Sequence, residues 1–486
     1  MAGETHAETQ LWIDGEWVKT DRIVPLENPH TGETFAHIGY ASVEQAKQAI
    51  DAAAKAFETF RHTPAWQRAH ILRSVAELIS DRRDELAETI SREAAKPMRA
   101  AKAEVDRTIQ TYLFAAEAAR DIRGESIPMD AAPHGEKHTA YTVHRPLGVV
   151  SAITPFNFPM NLVAHKVGPA IAAGNTIVLK PAEQTPLSAL VLAKLFKDAG
   201  LPNGVLNIVT GDGKELSEVL TTHPDVAFVT FTGSPRVGKL IRAQAGLRKV
   251  TLELGSNSPL LIDEGFTDGE LTQIAEEAVN GAFSYNGQVC ISIQRIYVHQ
   301  SVYEKFTKLL ADKAKALKIG DPLDKSTDIS ALINQQAVDR LQSWLDHAIS
   351  GGAKAVTGGK IDGRVIEPTV LIDVPEDAEL QQEEAFGPVA LVAPFDDWNE
   401  AINSANRSKY GLNAGAFTKN IDHALAAAAN IQAGAVLINQ VPTFRVDQMP
   451  YGGVKESGTG REGVRYAMQD MMEVKMVAFR SDAFRR

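Results

Sequence analysis

The chain has 486 residues, 44% hydrophobic and 23% charged, which fits a soluble protein of two to four structural units with sizeable cores. Lys and Arg number 50 against 61 Asp and Glu, a net charge of −11, and no basic run stands out, which argues against nucleic acid or an anionic membrane as a main partner. No apolar stretch approaches the roughly 18 residues of a membrane span.

The opening MAGETHAETQ carries Glu4 and Glu8 and lacks the apolar core of an export signal, so a cytoplasmic protein is expected. LWIDGEWVKT sets a DG turn between apolar-containing runs and predicts a β-hairpin. Helices are expected over 43–60 and 66–95. In the second, Ile71, Leu72, Val75, Leu78, Ile79, Leu86 and Ile90 recur at helical spacing, and Lys96-Pro97 ends it. A further Ala-rich helix covers 98–121, and the Gly-, Pro- and acid-rich stretch 122–137 reads as a loop or arm. From about 140 the texture changes. TAYTVHRPLGVVSAIT is alternating and β-branched. After a short break come the strand NTIVLKP, the helix SALVLAKLFKDAG, the strand VLNIVTG, the helix KELSEVLTTH, the strand VAFVTFTG and a helix from about 235. Such alternation implies a parallel sheet with crossover helices. A second α/β unit is expected from about 250, with strands KVTLELG, SPLLID and RIYVHQ and helices over 267–284, 301–317 and 330–350. SGGAKAVTGGK reads as a Gly-rich turn.

NGQVCIS contains the only cysteine, Cys290, so neither an internal disulfide nor a zinc cluster built on thiolates is available, and a reducing compartment fits. A lone thiol is either a small buried hydrophobe or a nucleophile, which then needs a base and an oxyanion donor elsewhere. Gly458, Gly460 and Gly463 spell a G-x-G-x-x-G, but no strand precedes them and too little chain follows for a dinucleotide fingerprint. VTFTGSPRVGK is the better phosphate site: a strand ends at Thr232, Gly233 and Ser234 turn, and a helix begins near Pro235. A plain strand-turn-helix is the alternative. In NTIVLKPAEQTP a strand ends at Lys180, where Lys180 and Glu183 can reach a ribose. A carboxylate there bonds the 2′- and 3′-hydroxyls and repels a 2′-phosphate, favouring NAD over NADP; a solvated Lys–Glu pair is the bland alternative. Glu253, an acid in an apolar run beside Gly255, suits a base whose pKa is raised by burial, or else a buried ion pair. Asn157, between two aromatics and two prolines, suits a rigid oxyanion donor or simply a turn.

TPFNFPMN, VLKPAEQTP, FTGS, LELGSNSP, GQVCIS, EEAFGPV and PYGGVKESGTGREG occur in that order, and together they resemble the aldehyde dehydrogenase superfamily along essentially the whole chain. The resemblance implies an α/β protein with two Rossmann-like parallel-sheet domains and a small β oligomerisation arm. The cofactor domain would be 1–124 and 146–252, the catalytic domain 253–455, and the arm 125–145 and 468–486, with a homodimer or homotetramer expected. Cys290 would be the nucleophile, Asn157 and the Cys290 N–H the oxyanion donors, and Glu253 the base that activates water. NAD, with NADP as the alternative, would be held by Ile153, Thr154, Pro155, Phe156, Lys180, Glu183, Gly213, Phe231, Gly233, Ser234, Val237, Leu254, Gly255, Glu384 and Phe386; no metal is implied. Many relatives have Gly-Lys where Ser256-Asn257 stand and Trp where Phe156 stands; neither departure changes a role.

The aldehyde is the open question. Arg107 and Arg445 fall in segments that line the family's substrate tunnel, beside Asn157, Val289 and Ile291. Guanidinium forks suit a carboxylate, phosphate or sulfonate. The pattern is similar to succinic semialdehyde, lactaldehyde, phosphonoacetaldehyde and sulfolactaldehyde branches. Alternatively one or both arginines pair with a structural acid, Asp106 and Asp447 being the acids near them in sequence. Three rival functions stay open: a neutral-aldehyde enzyme of broad specificity, a CoA-acylating enzyme, against which Glu253 counts, and a non-catalytic binding protein.

Overall fold

The computed structural model describes residues 10–484; residues 1–9, read above as no export signal, and the last two residues of the expected arm lie outside them. β1 (Gln10–Ile13) and β2 (Glu16–Lys19) form the predicted hairpin, with Asp14 and Gly15 both at positive φ, as a tight DG turn requires. β3 (Arg22–Glu27) and β4 (Thr34–Tyr40) make a separate ribbon. α1 (Val43–Phe60) starts from a Ser42–Gln45 capping box.

Where spacing predicts one helix over 66–95 there are two, α2 (Ala65–Asp81) and α3 (Arg83–Ala94), broken at Arg82. Ile79 and Leu86 are seven residues apart, so the apolar stripe stays in phase across the break and periodicity does not register it. α4 (Met98–Ala119) follows. β5 (Ser126–Ile127) lies in the expected arm. TAYTVHRPLGVVSAIT is two strands in two different sheets, β6 (His138–Pro146) and β7 (Val149–Ile153). The short break expected after them is in fact α5 (Asn161–Ala173). All thirteen of its residues are buried, so no polar face marks it, and its Gly168-Pro169 reads as a breaker.

β8 (Thr176–Lys180), α6 (Leu187–Asp198), β9 (Leu206–Ile208), α7 (Gly213–Thr222), β10 (Val226–Thr232), α8 (Pro235–Gln244) and β11 (Lys249–Glu253) alternate as predicted. The first sheet runs β2-β1-β9-β8-β7-β10-β11 and is parallel from β9 to β11. KVTLELG therefore closes this sheet instead of opening the next. Strand order reverses between β7 and β10, and the crevice outside their carboxyl ends is where sheets of this class bind ligands.

The second sheet is built from β12 (Ser258–Ile262), α9 (Asp268–Phe283), β13 (Ile293–His299), α10 (Gln300–Lys315), α11 (Gln335–Ser350) and β14 (Lys354–Thr357). After a ribbon of β15 (Ile361–Asp362) and β16 (Val365–Ile366) it continues with β17 (Thr369–Ile372), α12 (Glu379–Gln382), β18 (Val389–Phe395), α13 (Trp398–Asn406), β19 (Asn413–Phe417), α14 (Ile421–Asn430) and β20 (Ala435–Ile438). Its order is β14-β17-β18-β13-β12-β19-β20, parallel except for β14. The Gly-rich SGGAKAVTGGK is thus an edge strand with turns, not a turn alone. β21 (Gly458–Thr459) returns to pair with β11, α15 (Val464–Asp470) follows, and β22 (Met472–Arg480) pairs along nine residues with β6 in a small sheet β22-β6-β5. The fold is α/β, with two parallel-sheet units and this small β appendage. Among the described residues no helix is long and apolar enough to cross a membrane.

Candidate active site

Cys290 sits in the loop between α9 and β13. That loop opens with a run of left-handed backbone: Tyr285 at φ 49°, Asn286 at 56° and Gly287 at 70°. Left-handed conformations of non-glycine residues cost on the order of 1–3 kcal/mol each and persist only where surroundings over-determine them. Here three buried hydrogen bonds do so. Tyr285 Oη donates to Ala94 O at 2.9 Å, Asn286 Nδ2 donates to Ala331 O at 2.8 Å, and Asn286 Oδ1 accepts from Ser330 N at 2.8 Å. At Gly287 a Cβ would lie 2.1 Å from Gly387 O, so only glycine lets these two loops touch. Gln288 Oε1 then accepts from Ile333 N at 3.0 Å. The cysteine is presented by a rigid support.

Asn157 reaches the same loop from the other sheet. Its Nδ2 donates to Gln288 O at 3.0 Å, which uses one of two amide hydrogens. Its own carbonyl accepts from the buried Lys96 Nζ, and Lys96 is neutralised by the buried Glu104. Glu104 in turn accepts from the N–H groups of Met160 and Asn161 at the start of α5. Lys96, expected only to end a helix, thus also holds the Asn157 backbone in place. The Cys290 N–H and the second Asn157 amide hydrogen have no partner among the described residues.

Glu253, at the end of β11, is 2% exposed, and neither carboxyl oxygen has a partner. Burial, reinforced by the neighbouring Glu462, lifts its pKa well above the usual carboxylate range. The C-terminal glycines press down on it. A Cβ at Gly452 would lie 2.7 Å from Glu253 Oε1, and β21, which carries Gly458, pairs with β11 at Leu252 and Glu253. Of the G-x-G-x-x-G itself, Gly458 packs on β11, where a Cβ would lie 2.1 Å from Leu252 O.

Behind the cysteine lies a buried charge cluster that sequence reasoning largely missed. Arg445 donates to Glu462 at 3.1 Å and approaches His165 Nε2 at 3.3 Å, while its buried Nε has no partner. Lys166 Nζ pairs with Glu462 at 3.1 Å, and burial of Glu462 is overcome by Lys166 and Arg445, which pull its pKa down to about 2. Arg107 forks onto Asp447 at 2.7 and 3.3 Å, so it does pair with a structural acid, but not with the Asp106 beside it in sequence. Asp106 pairs instead with Arg83. His165 Nε2 also meets Asp447, and burial, with Arg445 beside it, keeps the imidazole pKa below its ordinary value. Lys166 inside the apolar run of α5 was the one available sequence signal. Of the expected tunnel residues, Val289 is partly exposed, whereas Ile291 is buried against Leu412 and Tyr451.

Most of the residues read as a cofactor site lie at or just past the carboxyl ends of first-sheet strands, and Glu384 and Phe386 come from the α12–β18 segment of the second. Ile153 ends β7 and Thr154 follows it, and the buried Thr154 Oγ1 has no partner among the described residues. Phe231, Gly233 and Ser234 follow from β10, with Ser234 capping α8 through Val237 N. Lys180 Nζ donates to Glu183 Oε1 at 2.7 Å, and the same oxygen accepts from Gly213 N at 2.7 Å. Leu254 is buried, and at Gly255 a Cβ would come 2.5 Å from Glu384 Oε2. Glu384 is fixed by Ser256 N at 2.8 Å, and burial pushes its pKa up to about 7. Phe386, at φ 47°, packs edge-on against Phe156 at 5.7 Å, next to Pro155. An orphaned hydroxyl, a capped helix N-terminus and two anchored carboxylates fit a dinucleotide.

The aldehyde dehydrogenase family model matches residues 17–477. The chain is 44% identical over 468 residues to the 3-sulfolactaldehyde dehydrogenase of Priestia aryabhattai, covering 96% of this chain and 97% of that one. The structure of aldehyde dehydrogenase 21 from Physcomitrella patens with the reaction product succinate superposes with a TM-score of 0.94 at 38% identity, over 97% of this chain and 98% of that one. The glyceraldehyde-3-phosphate dehydrogenase of Methanocaldococcus jannaschii complexed with NADP gives 0.90 at 38% identity, over 95% and 100%.

Proposed function

The chain belongs to the aldehyde dehydrogenase family, and we propose that it oxidises a small anionic aldehyde to the carboxylic acid through a covalent adduct on Cys290. It is an NAD(P)-dependent oxidoreductase. In this reading the Cys290 thiolate adds to the aldehyde carbonyl, and the oxyanion of the thiohemiacetal takes hydrogen bonds from the Cys290 N–H and the second Asn157 amide hydrogen. When bound, the nicotinamide cofactor supplies the hydride acceptor that turns the thiohemiacetal into a thioester. Glu253 then takes a proton from water as the water oxygen attacks the thioester carbon, and Cys290 departs as thiolate. Glu183 favours NAD, because its carboxylate, fixed by Lys180 and Gly213, matches ribose hydroxyls and repels a 2′-phosphate.

The observation that carries the anionic substrate is the charge balance behind the sulfur. Arg107 is balanced by Asp447, whereas the buried cations Lys166 and Arg445 share the one carboxylate Glu462. The named relatives that act on or hold sulfolactaldehyde and succinate are in keeping with it. Arg445→Gln is expected to raise KM for 3-sulfolactaldehyde and succinic semialdehyde about 10- to 100-fold, but KM for propanal less than about threefold. Arg107→Ala should do less, its charge being balanced by Asp447. Steady-state kinetics with NAD⁺ and with NADP⁺ measure both; equal effects on charged and neutral aldehydes would end the anion reading, and a preference for NADP⁺ the cofactor reading.

A homodimer or homotetramer is proposed from the small sheet. β22 is an edge strand nine residues long whose outer side has no partner strand among the described residues, and Tyr141, Val474, Met476 and Phe479 are exposed on this sheet. Val474→Glu with Met476→Glu should shift sedimentation to a smaller species; an unchanged coefficient argues against it. A mechanism run on one reduced thiol also suits the cytoplasm.

A further inference from the structure

Tyr451 is absent from the roles above, yet its hydroxyl lies 2.8 Å from Cys290 Sγ. The side chain is 3% exposed and packed against Ile291 and Leu412. Its backbone is pinned in a two-bond bridge, Tyr451 N to Glu462 O at 3.0 Å and Glu462 N to Tyr451 O at 2.6 Å. The Arg445 guanidinium carbon stands 3.6 Å over the ring centroid. A phenol with no freedom to turn away is therefore aimed at the sulfur, under a cation that draws on its π electrons and strengthens its O–H as a donor.

We propose that Tyr451 is a catalytic residue that donates its phenolic hydrogen bond to the Cys290 thiolate, with Arg445 stacked over its ring. The need for such a group follows from the surroundings of the thiol. Burial, with Glu384, holds the Cys290 pKa up at about 11 even with Tyr451 and Arg445 acting the other way. A cavity that disfavours its own nucleophile requires a donor in contact with the sulfur. Burial also raises the Tyr451 pKa well above its ordinary value, so the phenol keeps its proton at neutral pH and remains a donor. In the thiol state either atom of the pair can donate; once sulfur ionises, only the phenol can.

The proton and charge balance is simple. Ionisation releases the thiol proton to solvent and leaves one negative charge on sulfur, while Tyr451 retains its own proton and shares it. When the C–S bond forms, the sulfur lone pair is spent, the charge moves to the aldehyde oxygen and the phenol is released. When water cleaves the thioester, the C–S bond breaks and the charge returns to sulfur, where the phenol meets it again. Tyr451 thus helps the nucleophile form and helps it leave.

This rests on Cys290 being the nucleophile, and the two ideas fail separately. Because the chain has one cysteine, the rate of iodoacetamide labelling against pH titrates Cys290 without any aldehyde turnover. Tyr451→Phe keeps the ring that Arg445 covers and removes only the hydroxyl. Its labelling midpoint is expected to rise by about one pH unit, with about tenfold slower labelling at pH 7, and the acid limb of kcat/KM to move up with it. Melting curves matched to the unaltered chain establish that the variant is folded. An unmoved labelling midpoint overturns the proposal even if activity falls, since the phenol would then be only a wall of the pocket. Retained activity in a Cys290 variant would instead overturn the nucleophile.

Discussion

Replacing Cys290 by serine is expected to lower kcat for aldehyde oxidation about 10⁴-fold or more, with the fold unchanged. The reason is chemical, because serine preserves size, the supporting loop and a hydrogen-bond partner for Tyr451. What it removes is an atom that ionises far more readily than a hydroxyl and leaves far more readily from an acyl carbon. Even the thiol is held back here, at about 11, and a hydroxyl in the same cavity is worse by several further units. Asn157, Glu253 and the crevice residues stay in place, so the residual rate reports what binding and oxyanion donors achieve alone. Spectrophotometric assay of cofactor reduction measures it. A serine variant that oxidises aldehydes at an undiminished rate would sink the covalent mechanism.

Glu253→Gln is expected to divide the reaction in two. Steady-state kcat should fall about 10²- to 10⁴-fold, the usual worth of a positioned general base, while one equivalent of reduced cofactor per chain still appears in a first rapid turnover. The adduct then persists and is visible as an added mass on the intact protein. The sign of the pH dependence follows from the same carboxyl. Its folded pKa is raised, burial being the larger cause and Glu462 the next, so it is protonated and idle at low pH and becomes a base as pH rises. The unaltered enzyme should gain kcat along a limb lying above the ordinary carboxylate range, and the Gln variant should lose that limb. Loss of the first turnover together with the steady state would assign Glu253 to an earlier step than hydrolysis.

These two effects involve residues that were legible before any coordinates, and the reason is local. A strand ending in Glu253-Leu254-Gly255, an amide fixed between prolines, and a lone cysteine after Gly-Gln each state their chemistry within a few residues. Alternation of buried strands with amphipathic helices marked the first sheet for the same reason. Where a signal needs contrast between faces, it failed: α5 is buried on every side, so nothing in its sequence separates inside from outside. The break at Arg82 was hidden by an apolar repeat that continues in phase on both sides of it.

The sequence by itself determined the fold class, the order of the motifs and the types of side chain available for nucleophile, base and oxyanion support. Only the tertiary structure decided which charges oppose one another. Arg107 meets Asp447 across 340 residues, Lys166 meets Glu462 across 296, and Tyr451 meets Cys290 across 161. Such pairings depend on where two sheets and a C-terminal return bring distant segments within about 3 Å. At that range, out of water, a single partner changes whether a group is charged at all. The identity of each residue is one-dimensional information; its protonation state and its neighbour are set by packing.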